Sequence, residues 1–169
     1  KLAVRGPGAG AVLDRLSAGA VNQHDGVITY TQWLGEDGGI RADLTVTRVA
    51  PDDFLVVVSD TAHGSALGQL RRAVGDAEAT VEDVTTDHGL LTVQGPASRA
   101  TLQGAAPGTD WSSESFPFRA ARRGDPGVVA PVGAGGGAYL EGVPPHPTVS
   151  WWSREETRPW HRHLSNGRP

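Results

Sequence analysis

The sequence predicts an α+β domain, an antiparallel or mixed sheet with flanking helices. Two stretches of strand-like alternation, 27–34 and 40–49, flank a turn at Asp37-Gly38. Apolar residues at helical spacing occupy separate stretches after residue 9 and after residue 61. Three consecutive strands joined by tight turns pair antiparallel, which excludes a doubly wound parallel sheet.

Leu2 to Arg5 reads as a short strand running into Gly6-Pro7-Gly8. Ala9, Val12, Leu13 and Leu16 then lie near helical spacing, with Asp14 and Arg15 opposite and Gly19 as a stop. In Val27 to Leu34, Ile28, Tyr30, Gln32 and Leu34 point one way and Val27, Thr29, Thr31 and Trp33 the other. The β-branched and aromatic content favours a strand. Glu36-Asp37-Gly38-Gly39 supplies the positive φ of a hairpin turn. The return strand, Ile40 to Val49, sets Ala42, Leu44 and Val46 against Asp43, Thr45 and Thr47. After a turn at Pro51-Asp52-Asp53, Phe54 to Ser59 is nearly continuously apolar, as in a central strand buried on both faces. Thr61 or Ser65 caps a helix through Val74 that turns Leu67, Leu70 and Val74 inward. Strands at Ala79 to Val84 and His88 to Gln94, then a short helix at Ala97 to Gln103, complete the order β-α-β-β-β-α-β-β-α.

Beyond Phe118 this patterning fails. Residues 133–137 and 143–147 are rich in Gly and Pro without helical or strand period, and Trp151, Trp152 and Trp160 follow in no periodic frame. The expected organisation is a domain over 1–118 and an irregular Gly/Pro-rich tail over 119–169, such as disorder, a reading-frame change or an unrelated fusion would produce. The 169 residues include no Met, so the chain is expected to be a fragment of a longer protein.

A net charge of −4 argues against nonspecific nucleic-acid binding, which needs an excess of cations to displace counterions. No apolar run is long enough to span a membrane and no export signal opens the chain, from which a cytoplasmic protein is expected. Zero Cys removes thiol chemistry. The six His are scattered, and no Cys or acidic partner completes a metal set beside His161 and His163. Ser17, Ser59, Ser65 and Ser98 lack a nucleophile-elbow context.

Gly6 to Ala11 formally fits the G-x-G-x-x-G/A dinucleotide pattern. No parallel strand ending in a ribose-binding acid follows, so a strand-to-helix turn with Pro7 near the first helical position is the better reading. Asp43 sits just inside the return strand, on the face opposite Ala42, Leu44 and Val46. Such a carboxylate is either solvated or aimed into a cleft, and spacing alone favours solvation. Tyr30, by the same standard, reads as a half-buried packing residue.

Three stretches carry a resemblance to a known family. Lys1-Leu2-Ala3-Val4-Arg5-Gly6-Pro7-Gly8-Ala9 resembles the opening of the aminomethyltransferase fold shared by the glycine-cleavage T-protein and the folate-binding half of sarcosine and dimethylglycine dehydrogenases. Tyr30-Thr31-Gln32-Trp33-Leu34 with Gly38-Gly39-Ile40-Arg41-Ala42-Asp43-Leu44 is similar to that family's most specific segment. Phe54 to Ser59, Leu91 to Ser98 and Phe116-Pro117-Phe118 then fall in the expected order.

The resemblance implies a site where tetrahydrofolate takes one carbon from an amine-derived iminium. It places Asp43 at the folate amines as the catalytic acid/base, with Tyr30, Leu34, Val58 and Asp60 as cofactor contacts. Asp60 stands where relatives commonly carry Asn after Ser, and an ionised Asp accepts but cannot donate. Relatives continue with a Gly-Glu-x-Gly-x-Glu segment; Glu141-Gly142 is its nearest counterpart and lacks that context, so the role is not carried over. FAD belongs to a separate dehydrogenase domain, which these residues do not contain. The chain by itself is expected to bind folate weakly or not at all. The alternative expectation is a noncatalytic folate-binding or scaffolding module of the same fold.

Overall fold

The computed structural model describes residues 1–93, 95–124, 127–131 and 138–142. In chain order the elements are β1 (Leu2–Arg5), α1 (Ala9–Leu16), β2 (Ile28–Leu34), β3 (Ile40–Ala50), β4 (Asp53–Val58), α2 (Asp60–Val74), β5 (Thr80–Asp83), β6 (Gly89–Val93), α3 (Ser98–Ala105), β7 (Arg122–Gly124), β8 (Gly127–Pro131) and β9 (Ala138–Gly142). Five strands form one sheet in the order β2-β3-β4-β1-β5, and four form a second in the order β6-β9-β8-β7. The pairs are antiparallel throughout.

Alternation along the strands divides the first sheet into two faces. Leu2, Val4, Trp33, Ala42, Leu44, Val46, Phe54 and Val56 pack with Ala9 and Leu13 of α1 and Ala66 and Leu70 of α2. Each large apolar side chain withdrawn from water here contributes about 1.5–3 kcal/mol. On the other face a smaller cluster joins Ala3, Leu55 and Val84, with Val49 and Val57 at its margin. β4 is indeed central: β3 and β1 pair with it on either side, and Phe54, Leu55 and Val56 are buried.

The glycines after β1 serve the chain's own backbone. Gly6 has φ +121°, and a Cβ there would lie 2.3 Å from the carbonyl oxygen of Glu78. Its N–H donates to Asp52 O at 2.8 Å, and the Gly8 N–H donates to Glu78 O at 3.0 Å. These bonds tie the strand-to-helix turn to the Asp52 and Glu78 backbone, and α1 begins two residues after Pro7. Gly6→Ala is expected to lower unfolding free energy by about 2 kcal/mol or more in urea denaturation, because strain and steric conflict add at one position.

The structure departs from sequence expectation in two places. α2 starts at Asp60 after Ser59, which takes an extended N-cap conformation, instead of being capped by Thr61 or Ser65. Beyond Phe118, where no period was expected, Ala120 and Ala121 are buried and β7, β8 and β9 follow. Arg119, at φ +63°, bends the chain onto the edge of β2. Its O accepts the Ile28 N–H at 2.9 Å, its Nε donates to Ile28 O at 2.8 Å, and Val27 and Ala120 form a bridge. These strands are short and interrupted by Gly and Pro, so alternation has no length in which to show. The Gly-rich run 133–137, the Pro-rich run 143–147, Gln94, Trp151, Trp152, Trp160, His146, His161 and His163 lie outside the described residues.

Candidate functional site

The β2–β3 hairpin carries the candidate site. Its turn is closed by Gly38 N–H to Gly35 O at 2.9 Å and Gly35 N–H to Gly39 O at 2.8 Å. Gly38 takes φ +76°, the left-handed conformation that the Asp-Gly pair foretells. Asp37 accepts the Gly39 N–H at 3.1 Å and both oxygens meet Arg41 Nη2, at 3.1 and 3.0 Å. The Gly39 amide first, then the Arg41 charge, hold the Asp37 carboxyl below the usual carboxylate range.

Register then fixes which side chains meet. Trp33 lies opposite Ala42 and Gln32 opposite Asp43, with an irregularity between Trp33 and Leu34 that brings Leu34 opposite Ile40. Trp33 and Ala42 face the helices and are buried. Asp43, one residue on, projects from the other face and is exposed, the outcome that spacing alone favours. The Tyr30 hydroxyl donates to Asp43 Oδ2 at 2.5 Å, and Gln32 Nε2 donates to Asp43 Oδ1 at 3.1 Å. The phenol of Tyr30 is pushed above its ordinary pKa, chiefly by its hydrogen bond to Asp43, then by desolvation and the carboxylate's charge. The residue is 60% exposed, so it is available to a ligand and is not the half-buried packing residue that spacing favours.

A carboxylate has about four lone-pair positions. Tyr30 and Gln32 occupy one on each oxygen, leaving capacity for a donor from outside. Both partners are neutral, while Arg41, two residues away, is turned to Asp37. The carboxylate's orientation is therefore held from two sides by neutral donors. Such a group can orient an amine N–H, accept its proton and stabilise adjacent positive charge. Exposed Leu34 and Ile40 add an apolar margin at the hairpin end.

The remaining predicted positions are dispersed. Leu34 shares β2 and its face with Tyr30. Val58 does not join them: it pairs with Leu44 and packs against the helix-side core, so it lies on the face opposite Asp43. The continuous apolar run of β4 concealed this parity, and Val57, opposite Thr45, is its residue on the Asp43 side. Asp60 is exposed in the first turn of α2, just past the end of β4 where Leu44 and Val58 close the register. Gln32 was not singled out from sequence as a site residue, although its alternation with Tyr30 already placed both on one face. Glu141 lies in β9, opposite Leu90 and Val128.

A second polar cluster has the components of a hydrolytic triad without its geometry. His63 Nε2 lies 3.2 Å from Asp83 Oδ2 and 3.3 Å from Thr85 Oγ1, so one ring nitrogen meets both partners. A relay needs them on opposite nitrogens. The Thr85 hydroxyl and amide, with smaller contributions from His63, hold the Asp83 carboxyl at about 2. Among the described residues no group of three or more His, Cys, Asp or Glu could hold a metal ion, and no helix is long and apolar enough to cross a membrane.

Comparison with known proteins places this geometry in context. Residues 1–133 match the family model described as GCVT N-terminal domain, a match that runs past Phe118. An aminomethyltransferase of Streptomyces avermitilis is 33% identical over 135 residues, covering 79% of this chain and 35% of that protein. The 4-methylaminobutanoate oxidase (formaldehyde-forming) of Paenarthrobacter nicotinovorans is 32% identical over 115 residues, or 68% of this chain and 14% of that protein. Mitochondrial sarcosine dehydrogenase of Mus musculus is 32% identical over 120 residues, with coverage of 62% and 13%. The chain thus spans a minor part of the length of each. Among solved structures, glycine cleavage system aminomethyltransferase T from Bartonella henselae superposes with a TM-score of 0.72 at 25% identity, over 85% of this chain and 39% of that one. Heterotetrameric sarcosine oxidase from Corynebacterium sp. U-96, at 18% identity and a TM-score of 0.60, covers 83% of this chain and 69% of its own and shares the fold.

Proposed function

The chain belongs to the GCVT N-terminal domain family, and from that premise we propose that it is the leading part of a tetrahydrofolate-dependent one-carbon transfer domain. The observation that carries this reading is the Asp43 carboxylate, held by Tyr30 and Gln32 with acceptor capacity to spare. Its chemistry fits a ligand rich in N–H donors, and the exposed Tyr30 ring fits the flat face of a heterocycle.

Tetrahydrofolate, when bound, supplies the nucleophilic nitrogen that takes the one-carbon unit. Asp43 orients that nitrogen, stabilises the positive charge that develops on it and receives its proton. Tyr30 walls the site and holds Asp43; the hairpin fixes both, leaving little reorganisation for the reaction step. Leu34 extends the apolar wall. Asp60, at the start of α2, accepts a ligand N–H where an amide would also donate.

The amine-derived iminium comes from outside these residues, from a flavin-binding dehydrogenase domain of the same or an associated protein. The names of the oxidase and dehydrogenase relatives, of which this chain spans 14% and 13%, support that arrangement. Titration calorimetry of tetrahydrofolate into the full protein that the gene encodes tests the binding. Heat saturating in the micromolar range, with affinity at least about tenfold weaker in Asp43→Asn, is the expected result. No heat at millimolar ligand would instead identify a scaffolding module of the same fold.

A further inference from the structure

We propose that Gln32 is a positioning residue for the transfer step, fixing the Asp43 carboxylate from directly across the hairpin so that its unoccupied lone pairs meet the ligand as a set. The inference rests on the reading of Asp43 given above and adds the device that aims it.

Three observations converge on Gln32. It is the cross-strand partner of Asp43 in the β2–β3 register, so the contact is set by backbone pairing and not by a chance surface rotamer. It takes Oδ1 while Tyr30 takes Oδ2, so the carboxylate is held at both ends and its rotation about the terminal bond is restricted. It is also neutral. A Lys or Arg at this position would hold the group equally well and cancel the charge that the ligand's nitrogen is to meet. The nearest cation along β3, Arg41, is bound to Asp37 at the turn. Orientation without neutralisation is the chemical distinction between this pair and an ordinary surface ion pair.

The three side chains are coupled, which supplies a readout independent of turnover. The Asp43 hydrogen bond raises the Tyr30 phenol pKa, whereas the contact with Gln32 lowers it. The 169 residues contain two tyrosines, Tyr30 and Tyr139, so Tyr139→Phe assigns the Tyr30 resonance in a chain labelled with 13C at the tyrosine ζ carbon. In the 169-residue chain, Asp43→Asn is expected to lower the Tyr30 titration midpoint and Gln32→Leu to raise it. In the full protein, Gln32→Leu is expected to reduce kcat for methylenetetrahydrofolate formation about tenfold while KM for tetrahydrofolate changes less than about threefold.

An unchanged Tyr30 midpoint in both Asp43→Asn and Gln32→Leu overturns the proposal whatever the activity, since the three side chains would not be coupled in solution. A shifted midpoint with undiminished kcat overturns it too, since the orientation would not matter. If Asp43→Asn keeps full folate-product formation, the underlying reading fails with it, and the titrations, still shifted, mark that failure as one of function and not of geometry.

Discussion

On the function proposed above, replacing Asp43 by Ala in the full protein is expected to lower folate-dependent product formation by about 10²–10⁴-fold while leaving amine oxidation at its original rate. The size follows from what the carboxylate is asked to do. It is the acceptor at this site, and its partners, Tyr30 and Gln32, are a phenol and an amide that cannot take a proton in its place. The selectivity follows from the strand. Asp43 is exposed on the face opposite the helices, so its loss removes no core contact. Tyr30 and Gln32 are left with water as a partner, so the fold is expected to keep its stability to within about 0.5 kcal/mol. Parallel assays of oxidised amine and of methylenetetrahydrofolate check this directly. Folate product at the wild-type rate would remove Asp43 from the reaction.

The largest expected effect on stability lies ten residues earlier on the same hairpin. Trp33 is fully buried among Leu13, Val21, Leu44 and Leu70, and its Nε1 donates to Ser17 Oγ at 3.0 Å. Trp33→Ala is expected to cost about 3–5 kcal/mol, from lost transfer energy and an incompletely collapsed cavity, with Ser17 left short of a partner as well. That is a large share of the roughly 5–15 kcal/mol that holds a domain of this size together. A fall in melting temperature on the order of 10 °C should appear in a thermal scan, with much of the variant lost to insolubility. Trp33→Phe keeps most of the buried ring and should recover over half of the loss. Adjacent positions on one strand thus divide between the faces: Trp33 lies in the core and Gln32 lies opposite Asp43.

Why the first hundred residues were legible is a matter of local physics. The alternation of Tyr30-Thr31-Gln32-Trp33-Leu34 and the Asp37-Gly38 turn fix both the hairpin and its register within a few residues. From that register, the face of Asp43 follows by counting. Parity is silent where every residue is apolar, as in Phe54-Leu55-Val56-Val57-Val58, and there only the pairing of Val58 with Leu44 gives its face. Strand partners are a different kind of information. β6 pairs with β9, from Gly89 opposite Gly142 to Val93 opposite Ala138, across a helix and two other strands. Nothing in a local window records such a pairing, and in β7 to β9 glycines and a proline erase the period as well. The role of Asp43 came from resemblance, because an exposed Asp beside a turn has no distinguishing local pattern. What distinguishes it is its pair of donors, which only coordinates reveal.

The place of β1 in the sheet sets the timetable of folding. β1 precedes β4 and β5 in sequence yet lies between them, with Leu2 opposite Val56 on one side and Asp83 on the other. During synthesis β1 therefore leaves the ribosome long before either neighbour exists and must wait with both edges unpaired. Closing loops of that length is slow, and open strand edges invite pairing with other chains. A nascent chain halted before β5 would leave β1 as an open edge beside the central β4, a strand that only residues 80–83 cover.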